Sequence, residues 1–207
     1  MAVSKNRPAH RPSRKSAIVD AAIRVIAEKG FVDASITDVA EEADVAVTAV
    51  YYHFSGKDEL FDAAMSQVLG AITAAASAAR PEDAPGDEAG LRAVINAVWD
   101  WVDENPTEAM LAYLHLPGAT RQMAQLRREF DDHHVRRAFD YVNARGATPT
   151  GTNAARHAAA TLALRTLVDT LMAVHQLRLM DGPINAESPA VLRRAVQDLS
   201  TRIILVT

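Results

Sequence analysis

The sequence predicts an all-α protein of about nine helices, and three observations carry that expectation. Apolar residues recur at helical steps of three, four and seven nearly throughout. No stretch shows the apolar–polar alternation of a half-buried strand. The breaks between periodic stretches carry Gly, Pro, Asn or Ser-Pro, which are helix stop and start signals. The chain has 207 residues, 49% hydrophobic and 23% charged, enough for a real core. The expected division is a small unit over 1–57 and a larger helical unit over 58–207.

The elements follow in order. Ser13 is a good N-cap for a first helix running to Lys29, with Ile18, Ala21, Ala22, Val25 and Ile26 on one stripe. Gly30 stands where a left-handed terminating residue belongs. Ser35 and Asp38 have capping-box spacing for a short second helix that turns Ile36, Val39, Ala40 and Ala43 inward. Asp44-Val45-Ala46 is a tight turn, and Asp tolerates left-handed backbone better than most residues. A third helix covers Val47–Phe54. Ser55 is expected to cap a fourth, which carries Leu60, Phe61, Met65, Val68, Leu69 and Ile72.

Pro81–Asp87 reads as a linker of breakers and acids. Helix five is predicted over Glu88–Glu104. Asn105-Pro106 restarts the chain as helix six, which Pro117-Gly118 ends. Helix seven is predicted over Thr120–Arg145, stopping at Gly146, and helix eight over Thr152–Met180. Ser188-Pro189 caps helix nine, which continues to the C-terminus.

Cysteine is absent, so disulfides and thiolate metal sites are excluded. No apolar run approaches the roughly 20 residues of a membrane span. The N-terminus has basic residues with no apolar stretch behind them. No export and no membrane anchor are expected, and a reducing cytoplasm fits. Net charge is −4 and unevenly spread. Residues 1–15 hold five basic residues and no acid. Residues 1–57 hold 8 basic and 7 acidic residues, whereas 58–207 hold 14 and 19. The positive end is the N-terminus, so a DNA contact belongs there if anywhere; a solubilising tail is the other reading.

Two short helices joined by a three-residue turn, with a third in front, are the parts of a helix-turn-helix. The second short helix would lie in a major groove about 12 Å wide. Its sequence, VTAVYYH, is rich in β-branched and aromatic residues and is a poor intrinsic helix. Val50 and Phe54 suffice for an inward face. Thr48, Ala49, Tyr52 and His53 are then left outward with Tyr51 at the edge, and two adjacent tyrosines cannot share one face of a helix. Tyrosines beside a histidine and Lys57 make sense as phosphate donors.

Residues 18–65 resemble the DNA-binding region of TetR-family (tetracycline-repressor-like) regulators. The matching positions are Glu28-Lys29-Gly30-Phe31, Thr37-Asp38-Val39-Ala40, Val45, Tyr51-Tyr52-His53-Phe54, Lys57 and Leu60. The resemblance implies a dimeric, ligand-responsive transcriptional repressor released from a palindromic double-stranded operator. It implies an N-terminal helix-turn-helix domain followed by a ligand-binding and dimerisation domain. Carried over by position, Thr37, Tyr51, His53 and Lys57 would contact phosphates. Val47, Thr48, Ala49 and Tyr52 would face base edges, and Val39, Ala40, Val45, Val50 and Phe54 would form the small core.

Three departures stand out. Ala46 replaces the usual Ser cap, Asp44 replaces the common turn Gly, and the reading helix has no Arg, Lys, Gln or Asn. Bidentate reading of guanine or adenine is therefore unavailable, and apolar contact with thymine methyls is expected instead, with DNA shape and the Arg7–Lys15 arm assisting.

In the larger unit, helix nine has Leu192, Ala195, Val196, Leu199 and Ile203 on one stripe, and helix eight has Leu164, Leu167, Leu171 and Val174. These stripes are intramolecular core or, with the resemblance, a homodimer interface of helices eight and nine. An effector pocket is expected among helices five to eight. Its candidate lining is Trp99, Trp101, Met110, Tyr113, Met123, Phe130, Tyr141 and Met172. His134, His157, Thr161 and Arg165 are either a solvated face or polar anchors for an apolar effector. His115, His133 and His134 could be read as a metal cluster, but adjacent histidines on a helix diverge by about 100°. No metal and no cofactor is expected. No catalytic motif stands out, so an enzyme is not expected. A helical small-molecule-binding or scaffolding protein without DNA binding is the alternative.

Overall fold

The computed structural model describes residues 13–84, 86–114, 120–143, 153–180 and 183–205, without the side chains of 138–143, 153–157, 159, 160, 164, 183, 204 and 205. The arm before Ser13, His115, Pro117-Gly118, Gly146 and the side chains of Tyr141, His157 and Leu164 therefore lie outside the description. The described residues form nine α-helices and no strand. They divide into two units, Met1–Ala64 and Met65–Thr207, with the boundary inside the fourth helix.

In the first unit, the Ser13 side chain accepts from the Ser16 amide and opens α1, Arg14–Asp33. Gly30 has φ 77° and ψ 168°, which only glycine adopts without strain, and it kinks the chain before a last short turn. Ser35 caps α2, Ile36–Glu42, through a complete capping box with Asp38. Asp44 takes φ 52°, the left-handed conformation expected of it. α3 then covers Val47–His53. α1, α2 and α3 pack against one another over Ile18, Val25, Ile26, Val39, Val50 and Phe54, all buried. α4 spans Lys57–Ala79. Its start differs from the expectation at Ser55: the first helical bond runs from the Leu60 amide to the Gly56 carbonyl. The Ser55 amide and hydroxyl instead donate to the Glu59 carboxylate.

In the second unit, α5 covers Glu88–Glu104 and buries Leu91, Ile95, Trp99 and Val102 at steps of four, four and three. Asp87 caps it, its side chain accepting from the Gly90 amide. α6 covers Pro106–Leu114, α7 Arg121–Asn143 and α8 Asn153–Leu179. A 3-10 turn over Pro183–Ala186 precedes α9, Pro189–Leu205, where Ser188 accepts from the Val191 amide. Leu91, Ile95 and Trp99 of α5 meet Leu167 of α8 and Leu192 and Val196 of α9 in one core cluster. By length and composition α4 is apolar enough to cross a membrane, contrary to the expectation that no segment is. Its apolar residues Leu60, Phe61, Met65, Val68, Leu69 and Ile72 are buried, as in a core helix that passes the same test.

Candidate functional site

The first candidate surface is built on α2 and α3. The Asp38 carboxylate accepts from the Ser35 amide, the Ser35 hydroxyl and Lys29 Nζ. Those partners, Lys29 first, hold its pKa down to about 2. The start of α2 is thus fixed, with Thr37 exposed beside it. On α3 only Val50 is buried, and Phe54 caps its end from the core. Thr48 and Val47 are exposed, Ala49 is half-buried, Tyr51 is 55% exposed and Tyr52 84%. His53 is half-buried, with its ring 5.0 Å from that of Tyr52 in an edge contact. Ala46 makes no side-chain cap, as its methyl requires.

Lys57 is placed differently from a free phosphate clasp. Its ammonium donates to the Val32 carbonyl at 2.9 Å and sits over the rings of Phe31 and Phe61. Lys15, the last basic residue of the N-terminal arm, lies over the Phe54 ring at 5.2 Å.

The second candidate site is a cavity of about 100 Å³ in the larger unit. Of the expected lining, Tyr113, Phe130, His134 and Met172 are there. Trp99, Met110, Met123, Thr161 and Arg165 are not among its lining residues. Trp99 and Met123 are fully buried core side chains, and Trp99 packs against His175 and under the Arg178 guanidinium. Arg165 pairs with the buried Asp131, which Arg127 also holds. The apolar wall comes from α4, α5 and α8, with Ile72, Leu91, Val98 and Leu171 among it.

Two arginines at the cavity were not anticipated. Arg80 is 2% exposed, and its guanidinium donates to the Arg137 carbonyl at 2.9 Å. Arg137 donates in return to the Arg80 carbonyl. Arg80 precedes Pro81 and reads as the edge of a linker, so nothing in the sequence signals its burial.

Two histidines of this unit are held neutral. Burial, then His133 and Arg137, lower the pKa of His134 to about 4. Burial, then Arg178 and Arg193, lower that of His175 to about 3. His175 Nδ1 lies 3.1 Å from an Arg178 nitrogen. Guanidinium can only donate, so Nδ1 is the acceptor and the ring proton is on Nε2. Tyr113, which packs on His175, has its phenol pKa pushed up by burial. Among the described residues no group of three metal-ligating side chains is found.

Residues 18–64 match the family of bacterial regulatory proteins, tetR family. The chain is 27% identical over 146 residues to the HTH-type transcriptional regulator BetI 1 of Chromohalobacter salexigens, spanning 66% of this chain and 72% of that one. It is 33% identical over 90 residues to BetI of Burkholderia mallei, spanning 44% of this chain and 46%, less than half, of that relative. Two solved structures share the fold. The fatty acid degradation regulator FadR from Bacillus halodurans gives a TM-score of 0.74 at 17% identity, over 95% of this chain and 97% of that one. FadR from Bacillus subtilis, in complex with stearoyl-CoA, gives 0.71 at 19% identity, over 89% and 96%. The matched segment contains the capped α2, the left-handed turn and the outward tyrosines of α3, and over residues 18–64 the chain matches the tetR family of bacterial regulatory proteins.

Proposed function

We propose that this transcriptional regulator is a dimeric cytoplasmic repressor that grips a palindromic operator through α2 and α3 and releases it when a small, largely apolar molecule fills the cavity of the larger unit. The observation that carries the reading is α3 itself. A seven-residue helix buries one side chain and leaves Thr48, Tyr51 and Tyr52 outward. Large aromatic surface left open to solvent is what a groove-reading helix offers. Thr37, Tyr51, His53 and Lys57 take phosphate oxygens, and Val47, Thr48, Ala49 and Tyr52 face base edges. With no bidentate donor on α3, specificity rests on thymine methyls and DNA shape. No catalytic step is assigned to the chain.

Dimerisation through α8 and α9 is supported by what those helices expose. Leu162 and Leu177 lie on one side of α8 with Met180 just past its end, and Val191 and Leu199 on α9 are also exposed. Of the sequence stripes only Leu199 is among these exposed residues, and Leu167, Leu192 and Val196 are turned into the core of their own chain. Effector and operator are linked: an effector that favours wrongly spaced reading heads lowers DNA affinity by its coupling factor. α4 carries both Leu60 and Phe61 of the first unit and Ile72 and Ala76 of the cavity wall, so it is the natural lever.

The test is a gel shift of the DNA upstream of the protein's own coding region, with and without candidate apolar effectors. Retardation that Tyr51→Ala or Tyr52→Ala weakens about tenfold supports the reading. Unretarded DNA at micromolar protein, or equal retardation by the Tyr52→Ala variant, counts against it. Light scattering of the Leu199→Lys variant checks the interface, which predicts a shift from dimer towards monomer.

A further inference from the structure

We propose that the effector is a compact, uncharged molecule of about one ring, whose hydroxyl is held by His134 in the cavity of the larger unit. This rests on the cavity being the effector site, as proposed above, and adds the size and chemistry of the guest. The size comes from the space itself. The cavity measures about 100 Å³. A dry apolar cavity of ~150 Å³ takes up benzene, so a space somewhat smaller suits one ring or a short branched chain. The wall is mostly aliphatic, and Phe130 and Met172 add an aromatic ring and a polarisable sulfur.

The polar groups of the wall decide the rest. None of the lining residues is acidic, so a cation finds no partner there. Arg80 donates to the Arg137 and Ala84 carbonyls and Arg137 to the Arg80 carbonyl, so both are already bonded within the protein. Tyr113 and His134 are held uncharged, above all by burial, which raises the phenol pKa and lowers that of the imidazole to about 4. The His134 ring stands 4.3 Å from that of Phe130, and its Nε2 is buried with no hydrogen-bond partner among the described residues. A buried nitrogen without a bond is costly, so a guest that supplies one is rewarded. A hydroxyl both donates and accepts, and therefore satisfies that nitrogen in either tautomer. An ionised head must shed its hydration to enter, and uncharged partners repay little of that cost.

Titration of the full-length protein with p-cresol, p-xylene, benzoate and benzylamine, followed by NMR, tests this. p-Cresol and p-xylene differ by a hydroxyl in place of a methyl, and an apolar cavity with no hydrogen bond to offer prefers the methyl. The expected result is that p-cresol binds at least about fivefold more tightly than p-xylene, the size of one net hydrogen bond, and more tightly than either ion. His134→Phe keeps a ring and removes the nitrogen. It should abolish the preference and leave p-xylene within about twofold of its original affinity.

No binding of p-cresol, or binding no tighter than that of p-xylene or benzoate, overturns the proposal, as does a His134→Phe variant that keeps the preference. Should that variant melt early, the ligand order on the unaltered protein decides by itself. Met172→Trp, which fills the cavity, should remove p-cresol binding; undiminished binding places the guest elsewhere and overturns the site. The titrations contain no DNA, so they fail separately from the regulator reading. A retarded operator with no hydroxyl preference removes this guest and keeps the regulator; hydroxyl preference without any retarded DNA does the reverse.

Discussion

Every buried polar or charged residue described in this chain lies in the second unit: Arg80, Asp131, His175, Ser200 and Thr201. The first unit buries only Ile, Val, Ala, Leu and Phe. Its polar chemistry is at helix ends and on the outside, as in the Ser35–Asp38 box and the α3 tyrosines. The difference follows from what each unit presents. A groove reader needs a rigid apolar base with its polar atoms facing out. The second unit is larger and partners its buried polar groups, such as Arg127 and Arg165 on Asp131 and Arg178 on His175, because an unpartnered buried polar group costs free energy.

The largest effects should come from emptying either core. Phe54→Ala and Trp99→Ala are each expected to cost about 3–5 kcal/mol in urea unfolding. The first should abolish operator retardation, and the second should leave retardation intact and abolish its relief by an apolar effector; identical losses from both would erase the distinction between the two units.

Acid sharpens the contrast, because His175 is neutral in the folded state. Its pKa is depressed from 6.5 to about 3, so the unfolded chain binds the extra proton first as pH falls. Stability is complete above about pH 6.5, is lost progressively toward pH 3, and is down by roughly 2 kcal/mol from this group at pH 5. His175→Phe, which keeps a ring between Trp99 and Tyr113, should flatten the dependence of melting temperature on pH. A Phe variant as acid-sensitive as the parent would remove His175 as the cause.

Tyr52→Ala should lower operator affinity about tenfold while moving stability by no more than about 0.5 kcal/mol, as for any exposed site. A drop in melting temperature together with binding would mean that Tyr52 packs in solution. The smallest effect is a gain. Ala46→Ser supplies the missing cap of α3 and should raise stability by about 1 kcal/mol. No gain in urea unfolding would show that the helix start is already satisfied.

The same contrast explains how far the sequence could be read. Ser35, Asp38 and Asp44 act within a few residues of themselves, so their capping and turn roles were legible. The bounds of α5 were legible for the same reason: Asp87 precedes it and Asn105-Pro106 follows. Ser55 was misplaced because Glu59 competes for its amide and hydroxyl. The cavity is different in kind. Arg80 and Arg137 are 57 positions apart, and Arg92 reaches Asp198 across 106. Helical periodicity carries no information about such partners. Trp99 and Met123 were expected to line a pocket by size and apolarity, and those properties equally describe a filled core.

Lys57 carries a last consequence. Its ammonium is already satisfied by the Val32 carbonyl and two phenyl rings. A cation engaged in this way condenses fewer anions from solution and displaces fewer counterions when a duplex arrives. Replacing it with Met should therefore flatten the logarithmic salt dependence of operator affinity by less than the ~0.9 per neutralised phosphate that a freely solvated lysine commands.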